Sequence, residues 1–204
     1  FKITKLLALE LSKLFLEVII ANKFDTNALK ILKKKKNLRL IDSSNYTFKQ
    51  NIKFTSLNEE ILFQSEDMKI FTNNNFKVVS KKKPNLNQIK NLIFAFNVCR
   101  YVKSNAIVLA SNETTIGIGS GQPSRLDSCE IAINKMKRFN LFDKDLIAAS
   151  DAFFPFVDGI EKLVQSGVKA IIQPSGSIRD KEIIKFANET GTVLLFSKTR
   201  HFRH

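Results

Sequence analysis

Four short segments in the second half of the chain combine residue types that could bind or activate a ligand. In the loop 119–125, glycines alternate with polar residues and an arginine closes the run. Segment 150–160 sets three phenylalanines beside two aspartates, and segment 173–180 places glycine and serine before a predicted helix. The tail 198–204 holds two arginines and both histidines of the chain. Arginine forks suit phosphate or carboxylate ligands, whereas carboxylates accept hydrogen bonds from amino groups.

Each segment also has an ordinary structural interpretation. The glycine loop matches neither the phosphate loop nor the dinucleotide fingerprint, so it could be a plain loop, or its glycines could let a backbone approach a ligand. An aromatic cluster is usually core, although two carboxylates beside apolar surface need partners. Ser177 could simply cap a helix, and the basic tail could be frayed. The residue types alone leave these alternatives open.

Hydrophobic periodicity predicts the elements that position these segments. The first half reads as a helix to about residue 15, a strand, a helix over 26–35 and a strand, followed by a polar stretch with short strand candidates and a strand over 76–80. A composition shift there places a domain boundary, giving domains 1–80 and 81–204. Pro84 is predicted to open the next helix.

The second half is predicted as a hairpin, a helix over 125–137, a strand over 146–149, a helix ending at Gly167 and a final βαβ unit. In the last unit, a strand over 168–172 leads through a helix over 178–190 to a strand over 192–197, with Ser177 and Asp180 as a capping box. One right-handed crossover puts the carboxyl ends of two parallel strands on the same edge. Loop 173–177 and the tail are therefore expected to be neighbours, at the edge where α/β sheets gather ligands.

Composition excludes several classes of protein. The chain has 204 residues, is 44% hydrophobic and 25% charged, and carries a net charge of +14. This balance suits a globular α/β protein and excludes disordered and collagen-like chains. Most of the positive charge lies in the first half, where Lys33–Lys36 could be either a solvated helix end or a phosphate-binding patch. A basic nucleic-acid-binding module is therefore a second functional hypothesis.

The cysteines and histidines bear on compartment and metal. Two cysteines without a signal peptide favour a reducing, cytoplasmic setting. No metal site is expected, because the only histidines are His201 and His204. Charged residues interrupt the apolar N-terminal segment, so no membrane span is expected. Since the sequence begins with Phe, we expect it to be a piece of a longer protein.

Five motifs resemble the AICAR transformylase family, in the same order. They are KSNAIVLA (103–110), IGIGSGQPSRLDS (116–128), SDAFFPFVDGI (150–160), QPSGSIRD (173–180) and RHFRH (200–204). The first part of the chain is similar to the family's preceding segments, so the resemblance covers nearly the whole sequence. In this family the activity belongs to a bifunctional purine-biosynthesis protein that also carries IMP cyclohydrolase, a hydrolase.

The resemblance implies transfer of the formyl group of 10-formyltetrahydrofolate to the 5-amino group of AICAR (5-aminoimidazole-4-carboxamide ribonucleotide). It also implies a cytidine-deaminase-like mixed sheet with flanking helices and no zinc site. The partners that it implies are AICAR, the folate co-substrate, upstream transformylase and cyclohydrolase sequence, and a homodimer with shared active sites. Neither nucleic acid nor membrane is an implied partner.

The resemblance also assigns roles to individual positions. Asn105 matches the catalytic position that holds the reacting carboxamide region. The positions that match AICAR contacts are Arg125, Phe153 and Arg200, the last of which would bind the phosphate. The positions that match folate contacts are Leu126, Asp158, Ser177 and Ile178.

The sequence departs from the family pattern at identifiable places. No Lys-His dipeptide occurs in it, and the resemblance places the family's catalytic Lys-His pair upstream, so the isolated chain is expected to be inactive. Val157 stands where the family usually has Arg, Glu59-Glu60 replace a Gly pair, and Phe96-Asn97 replace Trp-Lys. A non-catalytic remnant that folds without turnover is therefore a further alternative.

Overall fold

The computed structural model describes residues 2–47, 52–139, 141 and 145–203. It divides into two compact units, Phe1–Glu66 and Asp67–His204. Part of the predicted polar stretch (48–51) and His204 of the tail lie outside the described residues. The predicted boundary near residue 80 stays a prediction about domains.

The first unit is small and built from short elements. They are β1 (Lys2–Ile3), α1 (Lys5–Lys13), β2 (Val18–Ala21), β3 (Lys23–Phe24), α2 (Thr26–Leu32), β4 (Arg39–Asp42), β5 (Ile52–Leu57) and β6 (Glu60–Ser65). The periodicity predicts the strands β2 and β4 and the helix α2 between them, and the structure pairs the two strands in parallel. Alanines and branched side chains from α1, α2 and β2 form its core, and β5 and β6 make an antiparallel hairpin.

The second unit contains the predicted βαβ unit, which is β11-α6-β12 in the structure. After a 3₁₀ turn (Asn73–Asn75), its elements are β7 (Phe76–Val78), α3 (Leu86–Cys99), β8 (Ile107–Ser111), β9 (Thr114–Gly119), α4 (Arg125–Arg138), β10 (Ile147–Ser150), α5 (Asp158–Gln165), β11 (Ala170–Pro174), α6 (Asp180–Glu189) and β12 (Val193–Ser197). The strands form one sheet in the order β7-β12-β11-β10-β8-β9. Strands β10, β11 and β12 are parallel, and the other pairings are antiparallel. The sheet is therefore mixed, which confirms the predicted α/β class.

Helices cover both faces of this sheet. Alternate strand residues point to opposite faces, so Ile171 packs with α4, α5 and α6 while Ile172 packs with α3. The residues of β11 and β12 are all buried. Burial on both faces explains why these strands read as continuous apolar runs.

Two glycines of the 116–128 motif serve helix packing. A Cβ at Gly117 or Gly119 would collide with the backbone carbonyl of Ala132 or Ser128 in α4. The alternative interpretation, in which Gly117 and Gly119 let the backbone approach a ligand, is not supported, because the backbone that approaches them is that of α4. Gly121 differs, since its φ of +68° falls in the left-handed region.

Two predicted helix starts are shifted. Asn85, rather than Pro84, caps α3: its side chain accepts from Gln88 N (2.8 Å), and Gln88 Oε1 accepts from Asn85 N (3.1 Å). Helix α6 begins at Asp180 with Arg179 as its cap residue. The predicted capping box is only half formed, because Asp180 accepts from Ser177 N while Ser177 Oγ accepts from Arg179 N instead of Asp180 N.

The described helices are all too short or too polar to cross a lipid bilayer.

Candidate functional site

The parallel strands β10, β11 and β12 end at one edge of the sheet. Beyond them lie the loop after β10, the loop after β11 and the C-terminal tail, here residues 198–203. Ser175 N donates to Ser197 O (2.8 Å), which joins the β11 loop to the start of the tail. The topological prediction that loop 173–177 and the tail are neighbours is confirmed.

A buried ion pair lies at the centre of this edge. Arg125, the first residue of α4, donates from Nη2 to Asp151 Oδ1 (2.8 Å). The two side chains are 9% and 0% exposed. A buried carboxylate without a partner would be costly, so this contact is what allows Asp151 to follow a buried strand.

The rest of the Arg125 fork also binds protein. Nε donates to Ser150 Oγ (3.0 Å), and Nη1 donates to the backbone oxygen of Phe153 (3.0 Å). Ser150 Oγ in turn donates to Ala152 O (2.7 Å). Arg125 therefore fixes the loop that carries Phe153.

Arg200 of the tail lies over the ring of Phe153. The guanidinium carbon is 4.5 Å from the ring centroid, and it is 5.8 Å from the ring of Phe202. Gly176 (φ +112°) lies close to this side chain, since a Cβ there would be 3.6 Å from Arg200 Nη2. The structure thus brings together Arg125, Phe153 and Arg200, the three positions predicted as AICAR contacts.

The tail is not frayed over the described residues. His201 has a side-chain exposure of 0%, and its backbone N donates to Asp151 O (2.8 Å). Ser104 N donates to Arg203 O (3.0 Å). Before Arg200, Thr199 O accepts from Ser197 Oγ (2.7 Å). The alternative interpretation of the tail as a loose basic end is therefore wrong, because its backbone is hydrogen-bonded on both sides of Arg200.

Asn105 lies beside this edge, in the segment that leads into β8. Its Nδ2 donates to the backbone oxygens of Gln122 (2.9 Å) and Pro123 (3.0 Å). Its own backbone oxygen accepts from Ser128 Oγ (2.8 Å) in α4. Both amide hydrogens of Asn105 are thus used to hold the 119–125 loop.

The four positions predicted as folate contacts lie at helix starts. Leu126 is half-buried in the first turn of α4, and the exposed Asp158 begins α5, where its Oδ1 accepts from Gly159 N (2.7 Å). Ser177 and Ile178 precede α6, and Ile178 is fully exposed. Arg179 stacks over Phe156, 4.7 Å from its centroid.

Sequence reasoning missed several residues that organise this edge. Asp151 is one of the two aspartates that the sequence marks as needing a partner, but Arg125 was not predicted as that partner. Ser150, the last residue of β10, could have been noticed because a polar side chain in a buried strand needs a partner. Gln173 is fully buried, and its Oε1 accepts from Phe154 N (3.3 Å). Asp67, whose carboxylate contacts His201 Nδ1, carried no signal, because it comes from a distant polar stretch.

Both cysteines are buried in apolar clusters. Cys99 packs with α3 on one face of the sheet, and Cys129 packs with α4 on the other. Burial raises the pKa of Cys129 to about 12 and raises that of Cys99 well above its ordinary value. Within the described ranges, no three His, Cys, Asp or Glu side chains form a group that could hold a metal ion.

Comparison with known proteins identifies the family of the chain. The family model described as the AICARFT/IMPCHase bienzyme matches residues 1–135. The chain therefore belongs to the AICARFT/IMPCHase bienzyme family.

Particular relatives extend the match across the whole chain. The bifunctional purine biosynthesis protein PurH of Persephonella marina is 44% identical over 196 residues, which is 95% of this chain and 38% of that protein. The PurH of Leptospira biflexa is 42% identical over 204 residues, 100% of this chain and 40% of that protein. The PurH of Aquifex aeolicus is 44% identical over 197 residues, 97% and 38% respectively. The chain thus spans about two-fifths of the length of these relatives.

Proposed function

We propose that the chain is the C-terminal part of a formyltransferase of purine (IMP) biosynthesis. It would transfer the formyl group of 10-formyltetrahydrofolate to the 5-amino group of AICAR. The observation that carries the proposal is the stack of Arg200 on Phe153, at the strand edge where Arg125 holds the Phe153 loop. Membership of the bienzyme family supports it.

The Arg200–Phe153 stack suits the phosphate end of a nucleotide. Arg200 is exposed at the surface, so its fork can meet a phosphate with two parallel hydrogen bonds. Phe153 fixes the plane of that fork. Arg125 acts differently. Its buried guanidinium donates to the backbone oxygen of Phe153, so its proposed part in AICAR binding is largely to position that residue.

Asn105 would meet the aminoimidazole carboxamide. Because its Nδ2 is committed to two loop carbonyls, we propose that Oδ1 accepts a hydrogen bond from an amino group of AICAR. That contact would orient the weakly nucleophilic amine toward the formyl carbon.

The folate would lie along the helix starts. Asp158 can accept hydrogen bonds from the amino and ring N–H groups of a pterin, and the exposed Ile178 offers apolar surface to its ring. Leu126 and Ser177 are proposed to complete this subsite. In the reaction, the bond from the formyl carbon to N10 breaks, a bond to the AICAR amine forms, and the amine proton is transferred while N10 is protonated.

The proton-transfer groups are proposed to come from the upstream Lys-His pair. Loss of a general acid/base costs about 10²–10⁴ in rate, and loss of an oxyanion donor costs about 10²–10³. We therefore propose that this chain by itself binds ligands but does not turn over. A homodimer with shared sites, a cytidine-deaminase-like architecture without zinc and a cytoplasmic location belong to the same proposal.

Calorimetry and a complementation assay test the proposal. AICAR and a stable 10-formyltetrahydrofolate analogue should each bind the chain. Formyl transfer should be absent until the N-terminal three-fifths of a PurH relative is added as a separate polypeptide. Absence of AICAR binding would refute the proposed function, and turnover by the chain alone at an ordinary enzyme rate would refute the assignment of acid/base chemistry to upstream residues.

A further inference from the structure

Residues 67–71, here called the clamp segment, connect α3 to the tail. Arg100 Nη1 donates to Lys69 O (3.0 Å). The Asn97 side chain makes two hydrogen bonds to the backbone of Phe71: its Oδ1 accepts from Phe71 N (2.9 Å), and its Nδ2 donates to Phe71 O (3.0 Å). The clamp segment is therefore fixed to the end of α3 by three hydrogen bonds.

The clamp segment in turn holds the tail. The carboxylate of Asp67 contacts His201 Nδ1, and Lys69 Nζ donates to Thr199 Oγ1 (3.4 Å). The His201 ring lies 5.0 Å from the Phe71 ring and 4.4 Å from the Phe96 ring, measured between centroids. The Phe96-Asn97 pair, where the sequence departs from its family, thus supports both the ring and the clamp.

His201 stands next to the residue that would bind substrate. Its backbone N donates to Asp151 O (2.8 Å), which joins the tail to the loop of Phe153. His201 directly follows Arg200 in the chain. Because the His201 ring and backbone N–H are held, the Cα of Arg200, from which its side chain extends, is restricted in position. The stack of Arg200 on Phe153 therefore depends on a side chain that itself faces away from solvent.

We propose that His201 is a positioning residue: held by Asp67 between Phe71 and Phe96, it sets Arg200 over Phe153 for the anionic end of the substrate. The inference rests on the proposed function and deepens it. His201 would not touch substrate, and its effect would pass through Arg200.

The surroundings of His201 favour a single protonation state. A neutral ring with hydrogen on Nδ1 donates to Asp67, and its Nε2 has no hydrogen-bond partner among the residues that the structure describes. Protonation would bury a second N–H with no acceptor. The charged groups that face the ring are Asp67 from the clamp segment, Arg100 directly after α3 and Asp151 directly after β10, and burial lowers the pKa of His201.

Binding measurements on two variants test the proposal. His201→Phe keeps a ring against Phe71 and Phe96 but removes the donor to Asp67, and Asp67→Ala removes the acceptor. Each should raise the dissociation constant for AICAR by about tenfold while changing that for the folate analogue by less than about twofold. Asp67→Asn retains an oxygen acceptor for His201 Nδ1, so its dissociation constant for AICAR should stay close to that of the unmodified chain. Ile183→Val, a mild truncation in the core on the other face, should leave AICAR binding unchanged.

A double-variant cycle separates positioning from general loss of structure. If His201 acts through Arg200, His201→Phe should weaken AICAR binding no further in an Arg200→Ala background. Additive losses, or an unchanged dissociation constant in both His201→Phe and Asp67→Ala, would overturn the proposal.

Trypsin cleavage after Arg200 gives a readout that needs no ligand. Asp67→Ala leaves the residues at the cleaved bond unchanged, and freeing the tail should speed cleavage by about tenfold relative to Ile183→Val. If the unmodified chain bound no AICAR, the proposed function would fail. The rate of trypsin cleavage in Asp67→Ala would still test whether Asp67 anchors the tail. Cleavage at the unmodified rate would overturn that anchoring.

Discussion

Two arginines predicted as contacts of one substrate occupy opposite environments. Arg125 is 9% exposed in its side chain and binds Asp151, Ser150 and the backbone of Phe153. Arg200 is exposed and stacks on the ring of Phe153. The same side chain thus acts as internal support at one position and as a proposed ligand-binding group at the other, because burial commits a guanidinium to protein acceptors. The difference predicts that stability will follow Arg125 and ligand binding will follow Arg200.

The largest effect is expected from Arg125→Ala. Removing the guanidinium leaves the fully buried Asp151 carboxylate unpaired, so the free energy of unfolding should fall by about 3–5 kcal/mol. Arg200→Ala should change it by less than about 0.5 kcal/mol, as surface substitutions do. Urea denaturation followed by circular dichroism measures both.

A double variant is the matched control for Arg125. Arg125→Met combined with Asp151→Asn removes both charges and should lose less stability than Arg125→Ala alone. Equal stability losses for Arg125→Ala and Arg200→Ala would contradict the contrast between the two sites.

The next effect concerns ligand affinity. Arg200→Ala should weaken AICAR binding by about 1.5–3 kcal/mol, roughly 10- to 150-fold, because a charge-assisted fork to phosphate is lost. Affinity for the folate analogue should stay within about twofold. Calorimetry with each ligand measures the two dissociation constants.

Arg179→Ala is the control for a lost arginine–phenylalanine stack. Arg179 lies 4.7 Å from the Phe156 centroid, a geometry close to that of Arg200 on Phe153. Its removal should change AICAR affinity by less than about twofold. An equal loss for both ligands in Arg200→Ala would sink the assignment of Arg200 to AICAR.

A smaller effect should appear as pH dependence of stability. Burial lowers the pKa of His201 below its ordinary value of 6.5. As the pH falls below about 6.5, the unfolded chain takes up a proton that the folded chain does not, so the free energy of unfolding should fall, by at most about 1.4 kcal/mol per pH unit. Above that pH the His201 imidazole is neutral in the folded and the unfolded chain, so its titration does not lower the free energy of unfolding.

His201→Asn removes this titration and keeps a donor for Asp67. Denaturation curves between pH 5 and pH 8 should show a shallower slope for the variant than for the unmodified chain. Parallel slopes would mean that His201 titrates as it does when exposed, contrary to its burial.

The last prediction concerns zinc content, for which we expect almost no signal. Cys99 and Cys129 lie in clusters on opposite faces of the sheet, and burial raises the pKa of both thiols, so neither is poised to bind metal as a thiolate. Elemental analysis after dialysis against a weak chelator should find well under one zinc per chain. One zinc per chain would overturn the prediction and revive a deaminase-like mechanism.

Much of the second unit was readable from local patterns. Strands β11 and β12 are predicted from their apolar runs, and α6 is predicted from the helical spacing between them. A right-handed crossover then places the carboxyl ends of both strands at the same edge of the sheet. Helix starts were harder, because competing side-chain acceptors within one turn decide them: Ser177 was expected to cap Asp180 but accepts from Arg179. For the glycines of β9 the sequence leaves a plain loop and a ligand approach both open, since only the packing of α4 shows which backbone comes close.

The sequence by itself determined the α/β class, the family and the neighbouring positions of the β11 loop and the tail, because periodicity, chirality and motif order are local properties. Tertiary structure alone decided that Arg125 is buried on Asp151, that Arg200 lies over Phe153 and that Asp67 meets His201 across 134 positions of sequence. Such pairings depend on how side chains from distant elements share a buried volume and satisfy one another's hydrogen bonds. Spacing along the chain carries no record of that.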